Sequence, residues 1–367
     1  MKNSVLIILF LVLLFHVPGY GAESRTPVKE SVTYRIGIAG VTHEYEPFGQ
    51  LYNNLQATQE FLPFEIVEGS SDMSAADSVR NLIGQDIDGL MLFVSDENVL
   101  PTICGLCEEA KMPWGIFLWQ IQDEDIRSLC ESSPWYIGNT GEREEETGAE
   151  MIRRAYDMGA RRIALISEEM WNVTCIQREK GIMDALPDLQ GMEIVATVRA
   201  VQDKQDAEKI TADLIDAWPD LDSVLIVGTK GVMVPDGVIE GIKSRGKKEE
   251  ISLFSIDLPV NLRECFDSGV LAAAYGLPAL SLDPLFLFFD LFNYIEGYPL
   301  TDGHQSYYLH AVPVDNKERA EALSDFIQNP DYRFLTKELI LSLRKKENPS
   351  LDGERFQKFI SDYIDSL

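Results

Sequence analysis

Basic residues are scarce: 32 Lys and Arg stand against 60 Asp and Glu, a formal charge of −28 at pH 7. A field of that sign repels phosphate backbones, so a nucleic-acid partner is excluded. Histidine is scarcer still, with four in 367 residues. No G-x-S-x-G, no H-E-x-x-H and no phosphate-binding loop appears, so no enzyme class is indicated. Cysteine is limited to Cys104, Cys107, Cys130, Cys175 and Cys265, an odd number that leaves at least one thiol unpaired in an oxidising compartment. Past the N-terminus no uninterrupted apolar run is long enough for a membrane span, which excludes a multi-span membrane protein. Low-complexity segments and short-period repeats are also missing.

What is present is an ordinary globular composition, 45% hydrophobic, with length for about two domains. The N-terminus has a different character. Lys2 precedes an apolar run from Val5 to Val17, then Pro18-Gly19-Tyr20-Gly21-Ala22 leads into polar Glu23. Such a run spans about 20 Å as a helix, short of the roughly 30 Å hydrocarbon core. Residues 1–22 are therefore expected to be a cleaved secretory signal, with the mature chain periplasmic or extracellular. Cys104 and Cys107 have C-x-x-C spacing but fall inside a helical pattern from Val99 to Lys111. They read as buried helix thiols, since a redox pair sits at a helix start and a metal site needs a second pair.

From Tyr34 onward, strand-like runs alternate with helical patterns. The runs are Tyr34–Val41, Phe64–Glu68, Gly89–Val94, Gly115–Leu118 and Trp135–Gly138, then Arg162–Ser167, Glu193–Val198, Ser223–Gly228, Ile251–Ile256 and Leu271–Tyr275. Several are continuously apolar, as expected for parallel strands covered on both faces. The alternation predicts stacked βαβ units in two similar sheets. Leu277–Glu296 reads as an apolar core helix. Lys317–Gln328, Tyr332–Lys345 and Leu351–Leu367 read as charged amphipathic helices.

Eight short marks occur in a fixed order: Ile36-Gly37-Ile38-Ala39-Gly40, Glu46-Pro47-Phe48, Asp88-Gly89-Leu90, Met112-Pro113, Tyr136-Ile137-Gly138, Arg178-Glu179-Lys180-Gly181, Ser255-Ile256-Asp257 and Gly276-Leu277-Pro278. This succession resembles the type I periplasmic solute-binding proteins, in their ribose-binding-like, sugar-binding branch, from about Arg35 to Val314. The resemblance implies an α/β fold of two similar lobes, each a parallel sheet flanked by helices, joined by a three-segment hinge. It places an N-terminal lobe at 34–138 plus 277–303 and a C-terminal lobe at 139–276 plus 304–315. Residues 316–367 then form a helical C-terminal extension. A cytoplasmic repressor sharing that core is excluded by the leader, the acidity and the lack of a DNA-binding headpiece.

The resemblance also implies a ligand set. Asp257 accepts from ligand hydroxyls, or else caps the following helix. Arg178 forks onto the ligand, or else pairs at the surface with Glu179 or Asp184. Phe48 matches a stacking aromatic. Trp119 and Gln120 stand where sugar binders carry Asp-Arg, a departure that offers a broad ring face in place of charge. His43 and Glu46 lie in the loop before the first helix, where with Glu44 they make only a weak metal signal. Trp171 follows a strand toward the cleft, Thr229 replaces an Asn, and Tyr275 neighbours Gly276 where a Gln is common. No metal, cofactor or catalysis is expected. The expected partners of this monomer are a small polar ligand and either the membrane permease of an ABC importer or a sensor kinase or chemoreceptor. The departures leave a modified sugar, or a ligand with an aromatic or methyl-rich face, open beside a simple sugar.

Overall fold

The computed structural model describes residues 33–43, 48–70, 72–168, 172–228, 233–276, 282–328 and 335–366. The expected signal segment lies outside these.

The first lobe runs β1 (Tyr34–Ala39), α1 (Gly49–Gln59), β2 (Phe64–Glu68), α2 (Ala75–Ile83), β3 (Gly89–Leu92), α3 (Leu100–Ala110), β4 (Trp114–Ile116), α4 (Glu124–Ser132) and β5 (Tyr136–Glu142). The second runs α5 (Glu144–Asp157), β6 (Arg162–Ser167), α6 (Val173–Ala185), β7 (Glu193–Arg199), α7 (Lys204–Ala217), β8 (Ser223–Ile226), α8 (Val234–Ser244), β9 (Ser252–Ile256), α9 (Leu262–Asp267) and β10 (Leu271–Gly276). After α10 (Leu282–Ile295) come β11 (Tyr307–Leu309), β12 (Val312–Val314), α11 (Lys317–Gln328), α12 (Lys337–Ser342) and α13 (Gly353–Asp365).

The strand orders are β11-β5-β4-β3-β1-β2 and β12-β10-β9-β8-β6-β7, so the second sheet repeats the first position by position. All pairings are parallel except β10 with β12. Ile163, Ala164, Leu165 and Ile166 of β6 are wholly buried, because helices cover both faces. Helix starts are fixed locally: Asp123, Asn172 and Asp203 each accept a backbone N–H of the first turn of α4, α6 and α7. α5 and α6 touch at two reciprocal glycines. A Cβ on Gly148 would meet the backbone of Arg178, and one on Gly181 the backbone of Glu145.

Two expectations are corrected. The first strand series does not end at Gly138, because β5 continues to Glu142 beside β11. Two of its polar residues are satisfied there: Asn139 Nδ2 donates to the Trp119 carbonyl (2.9 Å) and Thr140 Oγ1 to Asp283 (2.6 Å). Tyr307–Leu309, expected in the second lobe, therefore lie in the first sheet, and the chain changes lobe at His310–Ala311. The tail is helical, and it packs on both lobes. Ala320 and Leu323 of α11 join the second-lobe core. Ile340 of α12 and Phe356, Ile360 and Ile364 of α13 join the first, packed with α10. Phe356 lies 5.0 Å from the Tyr307 ring and 6.2 Å from that of Phe286. Gln357 exchanges two 3.0 Å hydrogen bonds with the Tyr308 backbone, closing the free edge of the sheet.

Candidate functional site

The C-terminal ends of β5, β8 and β9 and the start of α5 converge on one buried guanidinium. Arg178 lies on α6 with its side chain 5% exposed. Its Nε donates to Glu144 (2.6 Å), Nη1 to the Val227 carbonyl (3.0 Å) and Asp257 (3.1 Å), and Nη2 to Asp257 (3.2 Å) and Glu144 (3.4 Å). All five N–H groups are thus held by protein acceptors. Burial alone would lower its pKa, but Asp257, Glu144 and Glu142 outweigh that and hold it well above the usual value. Asp257, by contrast, ends β9 with its side chain 59% exposed. Its φ of +70° puts it in the left-handed region, which Asp tolerates better than most residues.

Two further carboxylates close in from the first lobe. Asp283, on the first turn of α10, accepts from the Leu118 amide (2.9 Å) and from Thr140. That bond holds Leu118 at φ +56°, an uncommon conformation for a bulky residue. Burial pushes the Asp283 carboxyl up to about 7. Glu142, at the end of β5, is 9% exposed, and its carboxyl makes no hydrogen bond among the described residues. Burial and the neighbouring Glu144 hold it well above the usual carboxylate range. Glu144 is raised in turn by burial, against the pull of Arg178.

Leu118, Trp119, Gln120, Gly141, Glu142, Glu144, Val173, Thr174 and Gln177 line a cavity of about 10 Å³, room for about one water. Gln120 donates to the Glu142 carbonyl (2.7 Å), which fixes the loop after β4 on β5. A wider pocket of about 350 Å³ opens at the ends of β1, β2 and β3, bordered by Gly40, Ser70, Ser95 and Asp96. It lies where the chain order of the first sheet reverses, the usual place for a ligand in such sheets.

Trp119 and Gln120 line the small cavity together with Glu144, and Glu144 is tied through Arg178 to Asp257. Arg178 is not free to fork onto a ligand as expected; it positions Asp257. His43 lies apart, with Nδ1 2.7 Å from Glu68 on β2. Phe48 is buried in the first core, 5.3 Å from Phe93 and 6.4 Å from Phe117. Tyr275 is 1% exposed inside the second core, so it does not line the cleft. Glu46, Trp171 and Thr229 lie outside the described residues. Among the described residues no three His, Cys, Asp or Glu are arranged to hold a metal ion. All five thiols are free and buried. Glu142, Glu144 and Asp283 were not anticipated. The one signal in the sequence was Asp283 itself, a carboxylate set in an apolar helix.

A family model described as a periplasmic binding protein domain matches residues 47–279. No curated protein matches the sequence. Among solved structures, the chain is similar to an ABC transporter periplasmic solute-binding protein from Actinobacillus succinogenes with bound D-allose. The identity is 15% over 79% of this chain and 100% of that one, with a TM-score of 0.65. It is also similar to an ABC transporter solute-binding protein from Bacillus halodurans with bound myo-inositol, at 16% identity over 81% and 99% of the two chains (TM-score 0.65). A third is the periplasmic component of the arabinose ABC transporter from a Shewanella species, bound to L-arabinofuranose (16% identity, 83% and 98% coverage, TM-score 0.64). At these identities the likeness is one of fold.

Proposed function

We propose, from the premise that this chain belongs to the periplasmic binding protein domain family, that it is an exported monomeric solute-binding protein. It closes on a small polar ligand, a sugar or sugar-like molecule, and delivers it to the permease of an ABC importer. The role is capture, not catalysis. The observation that carries this reading is the exposed carboxylate of Asp257. It is held by a saturated, buried Arg178 at the strand ends of the second lobe. A carboxylate fixed in this way accepts hydroxyl hydrogen bonds without reorganising. Closure is stabilised by contacts that the ligand makes with both lobes. The sensor alternative draws no support from the tail, since α11–α13 are built into the two cores.

Native mass spectrometry of the purified full chain, before and after denaturation, tests the reading. A carried small molecule, and a thermal shift with pentoses, hexoses or inositols that Asp257→Asn abolishes, are expected. An empty protein that no such compound stabilises overturns it.

A further inference from the structure

We infer that the ligand carries an amine, and that it is an amino sugar whose ammonium sits beside Glu142. This rests on the solute-binding reading above. Among the described residues, four carboxyl groups meet here, Glu142, Glu144, Asp257 and Asp283, with one guanidinium among them. Arg178 occupies Glu144 and Asp257 through hydrogen bonds, and Leu118 and Thr140 occupy Oδ1 of Asp283. Among the described residues, Glu142 alone borders the cavity with no hydrogen bond to its carboxyl and with nine-tenths of its surface buried. A buried carboxyl without a partner is costly as an anion and keeps its proton instead. Burial, Glu144, Asp257 and Asp283 all push that way, and Arg178 alone opposes them.

An ammonium reverses this balance. It brings the missing positive charge and three donors, so Glu142 ionises and is satisfied at once. The cavity has about the size of one water, which suits an ammonium head and not a whole ring. Trp119 borders the same cavity, and an aromatic ring is a favourable neighbour for an alkylammonium. Its indole Nε1 has no acceptor among the described residues, a donor left for a ligand oxygen. A neutral sugar would leave Glu142 protonated and would forgo that charge-assisted contact.

Isothermal titration of the full chain with matched pairs tests the inference: glucosamine and glucose, galactosamine and galactose, mannosamine and mannose. The amine member of a pair is expected to bind about tenfold tighter than its neutral partner. Titration in two buffers of different ionisation enthalpy should show a proton released on binding. Glu142→Gln, which keeps the shape of the protonated acid, should erase both the preference and the proton release while melting no lower than the parent. Neutral sugars binding as tightly as amines, or a preference that survives Glu142→Gln, overturn the inference and leave the solute-binding reading standing. Failure of every sugar, charged or neutral, to bind overturns both.

Discussion

Replacing Gly181 by alanine sets two effects of opposite sign against each other. In an open helix interior, Gly to Ala stabilises by about 0.5–1 kcal/mol through lower backbone entropy in the unfolded chain. On α6 the new Cβ would stand 1.9 Å from the Glu145 carbonyl oxygen. Ordinary contact begins near 3.4 Å, so α6 must withdraw from α5 by 3.4 − 1.9 = 1.5 Å. The bond from Arg178 Nε to Glu144, 2.6 Å long, would then stretch beyond hydrogen-bonding range. Overpacking costs about 1–3 kcal/mol, and a buried charge-assisted hydrogen bond is worth roughly 1.5–3 kcal/mol. After the entropic gain is subtracted, a net loss of roughly 2–5 kcal/mol is expected. Urea unfolding followed by circular dichroism measures it. Gly105→Ala in α3 is the control, since a Cβ there meets nothing within 4 Å. That variant should gain about 0.5–1 kcal/mol. If the two substitutions shift the midpoint alike, the reciprocal-glycine contact does not hold α5 against α6.

Asp290, buried in α10 with its pKa pushed up by burial to about 8, keeps its proton in the fold and loses it near its ordinary value when unfolded. The unfolded chain then binds fewer protons between about pH 4 and pH 8, and stability falls as pH rises across that window. Asp290→Asn should remove this decline and be the more stable protein at pH 8. Urea midpoints against pH check it, and parallel curves for parent and variant would refute it. Phe356→Ala should cost about 3–5 kcal/mol, because the ring fills a site against Tyr307 and Phe286. An unchanged melting temperature would show that the tail is no part of the first core.

The two-lobed frame was legible in the sequence because buried parallel strands leave continuous apolar runs, such as Ile163–Ile166. β11 and β12 were not, since three residues show no period and their places depend on strands far away in the chain. The extension of β5 was hidden for a different reason. Asn139 and Thr140 are polar, and only partners such as the Trp119 carbonyl and Asp283 let them lie in a sheet. Arg178 and Asp257 were visible through the family resemblance. What the chain order cannot show is that Arg178 is already saturated, because its acceptors come from α5, β9 and the end of β8. Tyr275 failed on a matter of facing: β10 is covered on both sides, and adjacency to Gly276 does not make a residue accessible.

The tail ties the lobes together a fourth time, beyond the three hinge passes. α11 is moored in the second core and α12 in the first, with residues 329–334 between Gln328 and Leu335. Those seven residue steps reach at most about 25 Å. Any gape that carries the two moorings farther apart must first peel a helix from its core.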